Sequence, residues 1–183
     1  MKAIKNILIA AIVAAAALAQ PNVAEAQMSE YKFNQLFDQA FKLTLVEDYQ
    51  QAFPIWKQLV RADQDHGQVL YFYSVCRTKT GGSTAQNTSA LSRAVQKVDY
   101  YNQPGRVEDR SAPVKAWYHL AEAYAEREDF DAAVEAYRNY MSCIPLASID
   151  HKREVIDKIK AAKENKKLVD LYGTVSLIAN QKP

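Results

Sequence analysis

Ala90, Leu91, Ala94, Val95 and Val98 recur at intervals of three and four residues, the stripe by which an amphipathic helix buries one face. A second stripe, Ile149, Val155, Ile156, Ile159 and Ala162, crosses a heavily charged stretch and predicts a helix from about Ser148 to Lys163. Leu168, Leu171, Tyr172, Val175 and Ile178 predict a last helix from Lys166 to Ala179, interrupted only by Gly173. Breaker clusters separate the helical segments. Gly81-Gly82-Ser83-Thr84 lies in a loop expected from Thr78 to Thr88, and Gln103-Pro104-Gly105 precedes a charged linker from Arg106 to Arg110. Ser111 is placed to cap the next helix, with Pro113 near its first turn. No strand pattern of comparable strength is present, so the expected fold class is all-α.

The chain also repeats itself. Glu128-Asp129-Phe130-x-x-Ala133 has a counterpart in Glu47-Asp48-Tyr49-x-x-Ala52, and from Ala52 to Ala133 the displacement is 133 − 52 = 81 residues. Carried backward, that offset puts Leu36, Ala40, Leu43 and Trp56 where Trp117, Ala121, Tyr124 and Tyr137 stand, with Gln39 a polar departure at the place of Leu120. Ala52-Phe53, Ala90-Leu91 and Ala133-Val134 are equivalent small-large pairs, the small member allowing two helices to approach closely.

From Pro113 to Pro145 the chain carries Trp117, Leu120, Ala121, Tyr124, Ala133, Tyr137 and Pro145 at the intervals of one tetratricopeptide repeat, a helix–turn–helix unit of roughly 34 residues. The chain therefore resembles the tetratricopeptide-repeat family. The resemblance implies an α-solenoid of antiparallel helix pairs, with repeats at about 33–66, 67–104 and 114–147 and capping helices at about 148–179. It further implies that the first helices of successive units line a concave groove that binds extended peptides or helices of partner proteins. The groove residues it designates are Phe37 and Phe41, then Tyr71 and Val75, then Lys115, Tyr118, Glu122 and Glu126. The family's carboxylate clamp uses Lys, Asn and Arg in three repeats. Here Phe37, Phe41 and Phe72 stand where such polar groups belong, and only Lys115 is kept, so the clamp is not expected. An aromatic groove suits an apolar or amphipathic partner. The same aromatics also suit a plainer role as filling between repeats.

The N-terminus reads as a secretory signal peptide over residues 1–26: Lys2 and Lys5, an apolar run from Ile7 to Ala19, then the small-residue triplet Ala24-Glu25-Ala26. A second triplet, Ala17-Leu18-Ala19, is followed closely by Pro21, which makes cleavage after Ala26 the better choice. The run falls short of the roughly 20 apolar residues of a membrane span, so no stable membrane anchor is expected after cleavage. Removal leaves 183 − 26 = 157 residues, 27–183, enough for one helical-repeat domain. A short Lys-containing signal fits export in a bacterial envelope, to the periplasm or beyond.

Charge and candidate chemistry narrow the function by exclusion. The formal charge of +2 falls to about +1 without Lys2, Lys5 and Glu25, too little for general nucleic-acid binding. The charges are unevenly placed, acidic from Glu122 to Glu135 and basic from Lys152 to Lys167, which reads either as two solvated helix faces or as complementarity toward a copy or a partner. Cys76 and Cys143 are too few for a disulfide framework and read as small apolar residues. His66, His119 and His151 have no metal-ligand spacing, and Lys79 to Thr84 lacks the order of a phosphate loop. Glu122 and Glu126 share a helix face in a manner common on solvated helices. The expectation is a protein without enzymatic activity or cofactor that binds a protein or peptide partner. The alternative is a structural subunit that associates with itself as a homo-oligomer through Leu168, Leu171, Tyr172, Val175 and Ile178.

Overall fold

A computed structural model describes residues 28–145 and 148–179, so the proposed signal segment 1–26 lies outside the described residues. Among the described residues there are seven helices and no strand: α1 Glu30–Leu45, α2 Tyr49–Ala62, α3 Gly67–Lys79, α4 Thr84–Val95, α5 Lys115–Glu126, α6 Phe130–Cys143 and α7 Ile149–Ala179. Each helix packs on the next, and α1 also touches α3. The result is an all-α stack of antiparallel pairs, α1/α2, α3/α4 and α5/α6, closed by α7.

The sequence displacement of 81 residues reappears as repeated backbone geometry. Asp48 caps α2 by accepting from Gln51 N at 3.2 Å, and Asp129 caps α6 by accepting from Ala132 N at 3.4 Å. Before each cap stands a glutamate in the left-handed region, Glu47 at φ 60° and Glu128 at φ 61°. An L-residue pays about 1–2 kcal/mol there. Two of the three pairs meet that cost in three-residue turns of the same path, whereas the four-residue turn between α3 and α4 puts Gly81 at φ 77°.

The core runs along the stack. Ala52, Ala90 and Ala133 are all buried where helices approach, as are Ala40, Trp56, Leu59, Leu70 and Leu91. Phe37 meets Trp56 edge to face with ring centroids 5.3 Å apart, and Trp56 stacks on Phe72 at 5.2 Å. Trp56 also satisfies its indole N–H by donating to Thr44 Oγ1 at 2.9 Å. Gln39, the polar departure, is exposed. Both thiols are free, Cys76 buried and Cys143 only half-buried, so the second is not the core residue expected.

Three sequence expectations about the elements change. The loop read from Thr78 to Thr88 shrinks to the four residues between Lys79 and Thr84, because Asn87 is buried and donates to Thr78 Oγ1 at 2.7 Å, fastening α4 to the end of α3. Ser111 caps no helix: α5 begins at Lys115, and the Ser111 side chain instead donates to Asp109 at 2.5 Å. The two C-terminal helices are one. Between Lys163 and Lys166 stand only Glu164 and Asn165, neither of which breaks a helix, so α7 runs unbroken for 31 residues. On it Val155 and Ala162 are buried, whereas Ile156, Leu168, Val169 and Leu171 are exposed. The side chains of Tyr172, Val175 and Ile178 lie outside the described ones.

Candidate functional site: the first-helix face and its loop

Helices α1, α3, α5 and α7 lie side by side. Ring contacts tie α3 to α5, Tyr71 standing 5.8 Å from His119, and hydrogen bonds tie α5 to α7. Equivalent places on the first three are Asn34, Gln68 and Lys115, then Phe37, Tyr71 and Tyr118, then Phe41, Val75 and Glu122. These rows are the face on which the eight groove residues fall.

Their accessibility is uneven. Phe37 is 1% exposed and Tyr71 7%, and both belong to the core with little surface to present. Phe41 is half-buried against Phe72, 5.3 Å away, and Tyr118 is buried among Tyr137, Tyr140 and His151. Val75 and Glu122 are half-buried, while Lys115 and Glu126 are exposed. The aromatic lining expected at the N-terminal end is therefore covered. Neighbouring rings cover Phe37 and Tyr71, and a loop of this same chain lies against Phe41.

Residues 96–114, between α4 and α5, are closed at the base by a bridge between Val98 and Ala112. The loop then meets the N-terminal end of α3 and, at Phe41, the C-terminal half of α1. Gly67 N donates to Arg110 O at 2.8 Å, and a Cβ on Gly67 would come within 2.7 Å of Ala112 N, so α3 can begin this close to the loop only with glycine there. Gln68 is fully buried and spends its whole amide on the loop main chain. Nε2 shares its two N–H groups among the carbonyls of Gln103 at 3.2 Å, Arg106 at 3.0 Å and Asp109 at 2.7 Å, which two successive turns bring together, and Oε1 accepts from Gly105 N at 2.9 Å. Gly105 itself, at φ 89°, lies against the Phe41 ring.

A neutral imidazole and an ion pair hold the two sides of this loop. His66 Nε2 is 2.9 Å from Val107 O, and since a carbonyl only accepts, Nε2 carries the proton. Burial lowers the His66 pKa more than that bond raises it, so the ring is neutral near pH 7. Arg110 pairs with Asp63 at 2.6 Å. For Asp63, burial acts to raise the carboxyl pKa, but the bonds from Arg110 and the Asp65 N–H outweigh it and the net shift is downward. Asp109 is likewise pushed up by desolvation and brought below the usual range by Ser111, Gln103 N and Asn102. A cleft of about 530 Å³ remains beside the loop, bordered by Phe33, Asp63, His66, Val107 and Arg110.

The other end of the face is polar and more open. Tyr118 Oη donates to Glu154 at 3.0 Å, Lys158 donates to Glu122 at 3.0 Å, and His119 Nδ1 lies 3.4 Å from Glu122. Desolvation acts to raise the Glu122 pKa, and the His119 and Lys158 bonds bring it below its ordinary value. Burial pushes Tyr137 up to about 12. His151 stands between Tyr140 Oη, 2.7 Å from Nε2, and Glu154, 3.2 Å from Nδ1. The carboxylate takes the Nδ1 proton, so the Tyr140 hydroxyl donates to Nε2. These contacts fasten His151 of α7 to Tyr140 of α6. Lys166 reaches Asp131 farther along. Lys158 and Lys166 of the basic α7 therefore answer acidic residues of α5 and α6, while Arg153 and Lys160 pair within α7 itself.

Sequence reasoning missed Gln68 and His66 and took the Arg106 to Arg110 segment for a plain linker. One signal was available: a connection of this length inside a compact repeat array is uncommon and is usually functional. Among the described residues no group of three His, Cys, Asp or Glu is placed to hold a metal, and no helix is long and apolar enough to cross a membrane.

No protein-family model matches the sequence, and no curated protein matches it either. Solved structures do match the fold. The chain is similar to the type III secretion chaperone SycD of Yersinia enterocolitica in complex with a peptide of the translocator YopD, at 15% identity and a TM-score of 0.57, over 76% of this chain and 98% of that one. It is similar to PcrH in complex with the chaperone binding region of PopD, at 16% identity and a TM-score of 0.56, over 75% of this chain and 96% of that one. MamA matches at 19% identity and a TM-score of 0.50, over 76% of each chain. At these identities the likeness establishes the fold: an all-α helical repeat of the tetratricopeptide kind.

Proposed function

We propose that this chain is a non-enzymatic, exported protein of a bacterial envelope that holds an extended segment of a partner protein on its first-helix face. The observation that carries this reading is the row of first-helix residues that the core leaves accessible, Val75, Lys115, Glu122 and Glu126, on a face built by the stacked repeats. The complexes of SycD and PcrH with peptides of their partners support it, because they present the same fold with a peptide bound. Export rests on the sequence of residues 1–26 alone.

The test is capture of partners by the purified protein and by a Val75→Glu, Lys115→Glu variant, both positions lying outside the buried core. Loss of a captured protein with unchanged helicity supports the face. Equal recovery by both removes it. N-terminal sequencing of protein recovered from the envelope should begin at Gln27, and an intact Met1 would remove the export reading.

A second reading is favoured by one observation, the exposure of Leu168, Val169 and Leu171 on α7. There the chain associates with itself through this stripe. Sedimentation of the protein and of a Leu168→Glu, Leu171→Glu variant decides it, since a monomer in both leaves no self-association to explain.

A further inference from the structure

Where α3 and α5 end, beside the accessible row of the first-helix face, lies a cavity of about 40 Å³ bordered by Thr78, Asn87, His119, Glu122 and Glu126. The polar groups around it are mostly acceptors. Thr78 Oγ1 gives its one proton to Ser74 O at 3.1 Å, so toward Asn87 Nδ2, 2.7 Å away, it can only accept. That settles which end of the Asn87 amide is nitrogen. Its Oδ1 is then left without a partner, although Asn87 is only 2% exposed. A buried acceptor of this kind is costly, and packing gives no reason to keep it. The nearby donors are directed at Glu122, with Lys158 on one of its oxygens and His119 Nδ1 3.4 Å from the other.

The backbone favours positive charge at the same place. Thr78 stands in the last turn of α3 and Glu126 is the last residue of α5, so the negative ends of two helices meet here against the positive end of α4 alone. A water needs roughly 10–15 Å³ of such space, so the cavity has room for the compact ammonium of a lysine. An ammonium brings three N–H donors and no acceptor, the complement of this lining.

We propose that this cavity seats a lysine side chain of the partner segment, its ammonium donating to Asn87 Oδ1 between the carboxylates of Glu122 and Glu126. The inference rests on the reading of the first-helix face as a partner-binding surface, and it adds the chemistry of one residue of that partner.

The probe is Nα-acetyl-lysine methylamide, titrated into the purified protein to about 100 mM, since one charge-assisted hydrogen bond supports binding in roughly the 10 mM range. Saturable shifts of the Asn87 side-chain amide and of the His119 ring in NMR spectra are expected. The Nε-acetylated form of the probe, which lacks the charge, should bind at least about tenfold more weakly. Asn87→Leu, checked for helicity by circular dichroism, should abolish the His119 shift. Glu126→Gln, at an exposed position, should weaken binding at least about threefold and decides alone if Asn87→Leu does not fold.

Absence of any shift means a water-filled cavity only and overturns the proposal. Equal binding of the acetylated probe, or binding unchanged in the folded variants, does the same. Binding of n-butylammonium without binding of the lysine probe assigns the cavity to a free amine and overturns the partner's lysine. Failure here is distinct from failure of the face. A partner captured through Val75 and Lys115 while the lysine probe does not bind keeps the face and removes the cavity's role. Probe binding with no partner captured overturns the proposal at its partner and not at its chemistry.

Discussion

Replacing Gly105 with alanine strikes the place where loop and groove meet. The backbone there has φ 89°, where an L-residue costs about 1–2 kcal/mol, offset by up to about 1 kcal/mol through the stiffer unfolded chain. The added methyl meets a second obstacle. Its carbon would lie 2.7 Å from Phe41 Cζ, well inside the roughly 3.5–4.0 Å of a comfortable carbon contact. Phe41 cannot simply retreat, since Phe72 stands 5.3 Å and Phe37 6.5 Å from it, so overpacking adds about 1–3 kcal/mol. The total is about 1–5 kcal/mol if the loop stays seated. Urea unfolding followed by circular dichroism measures that loss, and exchange of the Gly105 to Arg110 amides shows whether the loop has lifted instead. In a double-mutant cycle Phe41→Ala should recover the steric part and leave the conformational part. A Gly105→Ala variant within about 0.5 kcal/mol of the parent, with loop exchange unchanged, would refute the reasoning.

Glu47→Gly and Glu128→Gly should each stabilise by about 0.5–1 kcal/mol, since glycine relieves the left-handed strain but gives back part of it in unfolded-state entropy, and a lower urea midpoint in either variant argues against strain at these turns. Ala133→Leu should cost about 1–3 kcal/mol in urea unfolding, because Ala133 is fully buried where α6 meets its neighbours; a neutral result would mean the contact can expand. His66 is held neutral by burial below its ordinary 6.5, so the unfolded chain binds the extra proton first and this group's stability is present above that value and lost as pH falls. The drop in urea midpoint from about pH 7.5 to about pH 5.5 should therefore be smaller in a His66→Gln variant. An equal drop assigns the pH dependence elsewhere.

Much of the fold was legible because its determinants are local. The turn glutamates, the caps Asp48 and Asp129, and the small residues Ala52, Ala90 and Ala133 each lie within one helix pair, where spacing along the chain corresponds to position in space. The site was less legible because it depends on contacts between residues some 35 to 41 apart, those of Gln68 and His66 with the loop. A buried glutamine and a Pro-Gly turn are unremarkable in sequence, and only the folded loop shows that one binds the other. The burial of Phe37, Tyr71 and Tyr118 has the same origin. Repeat position puts them in one row, but cannot tell that neighbouring rings and α7 enclose them. The join of the last two helices was misjudged for a different reason: the apolar stripe shifts near Lys163, but backbone continuity depends on the absence of a breaker and not on the stripe.

The central claim, that the first-helix face holds a segment of another protein, is tested most directly by site-specific photocrosslinking in cells. A photoreactive phenylalanine analogue at Val75, on that face, should yield an adduct whose partner fragment maps to one extended segment. The same analogue at Arg138, exposed on the second helix of its pair, should yield none. Adducts at Arg138 with none at Val75 would contradict the account.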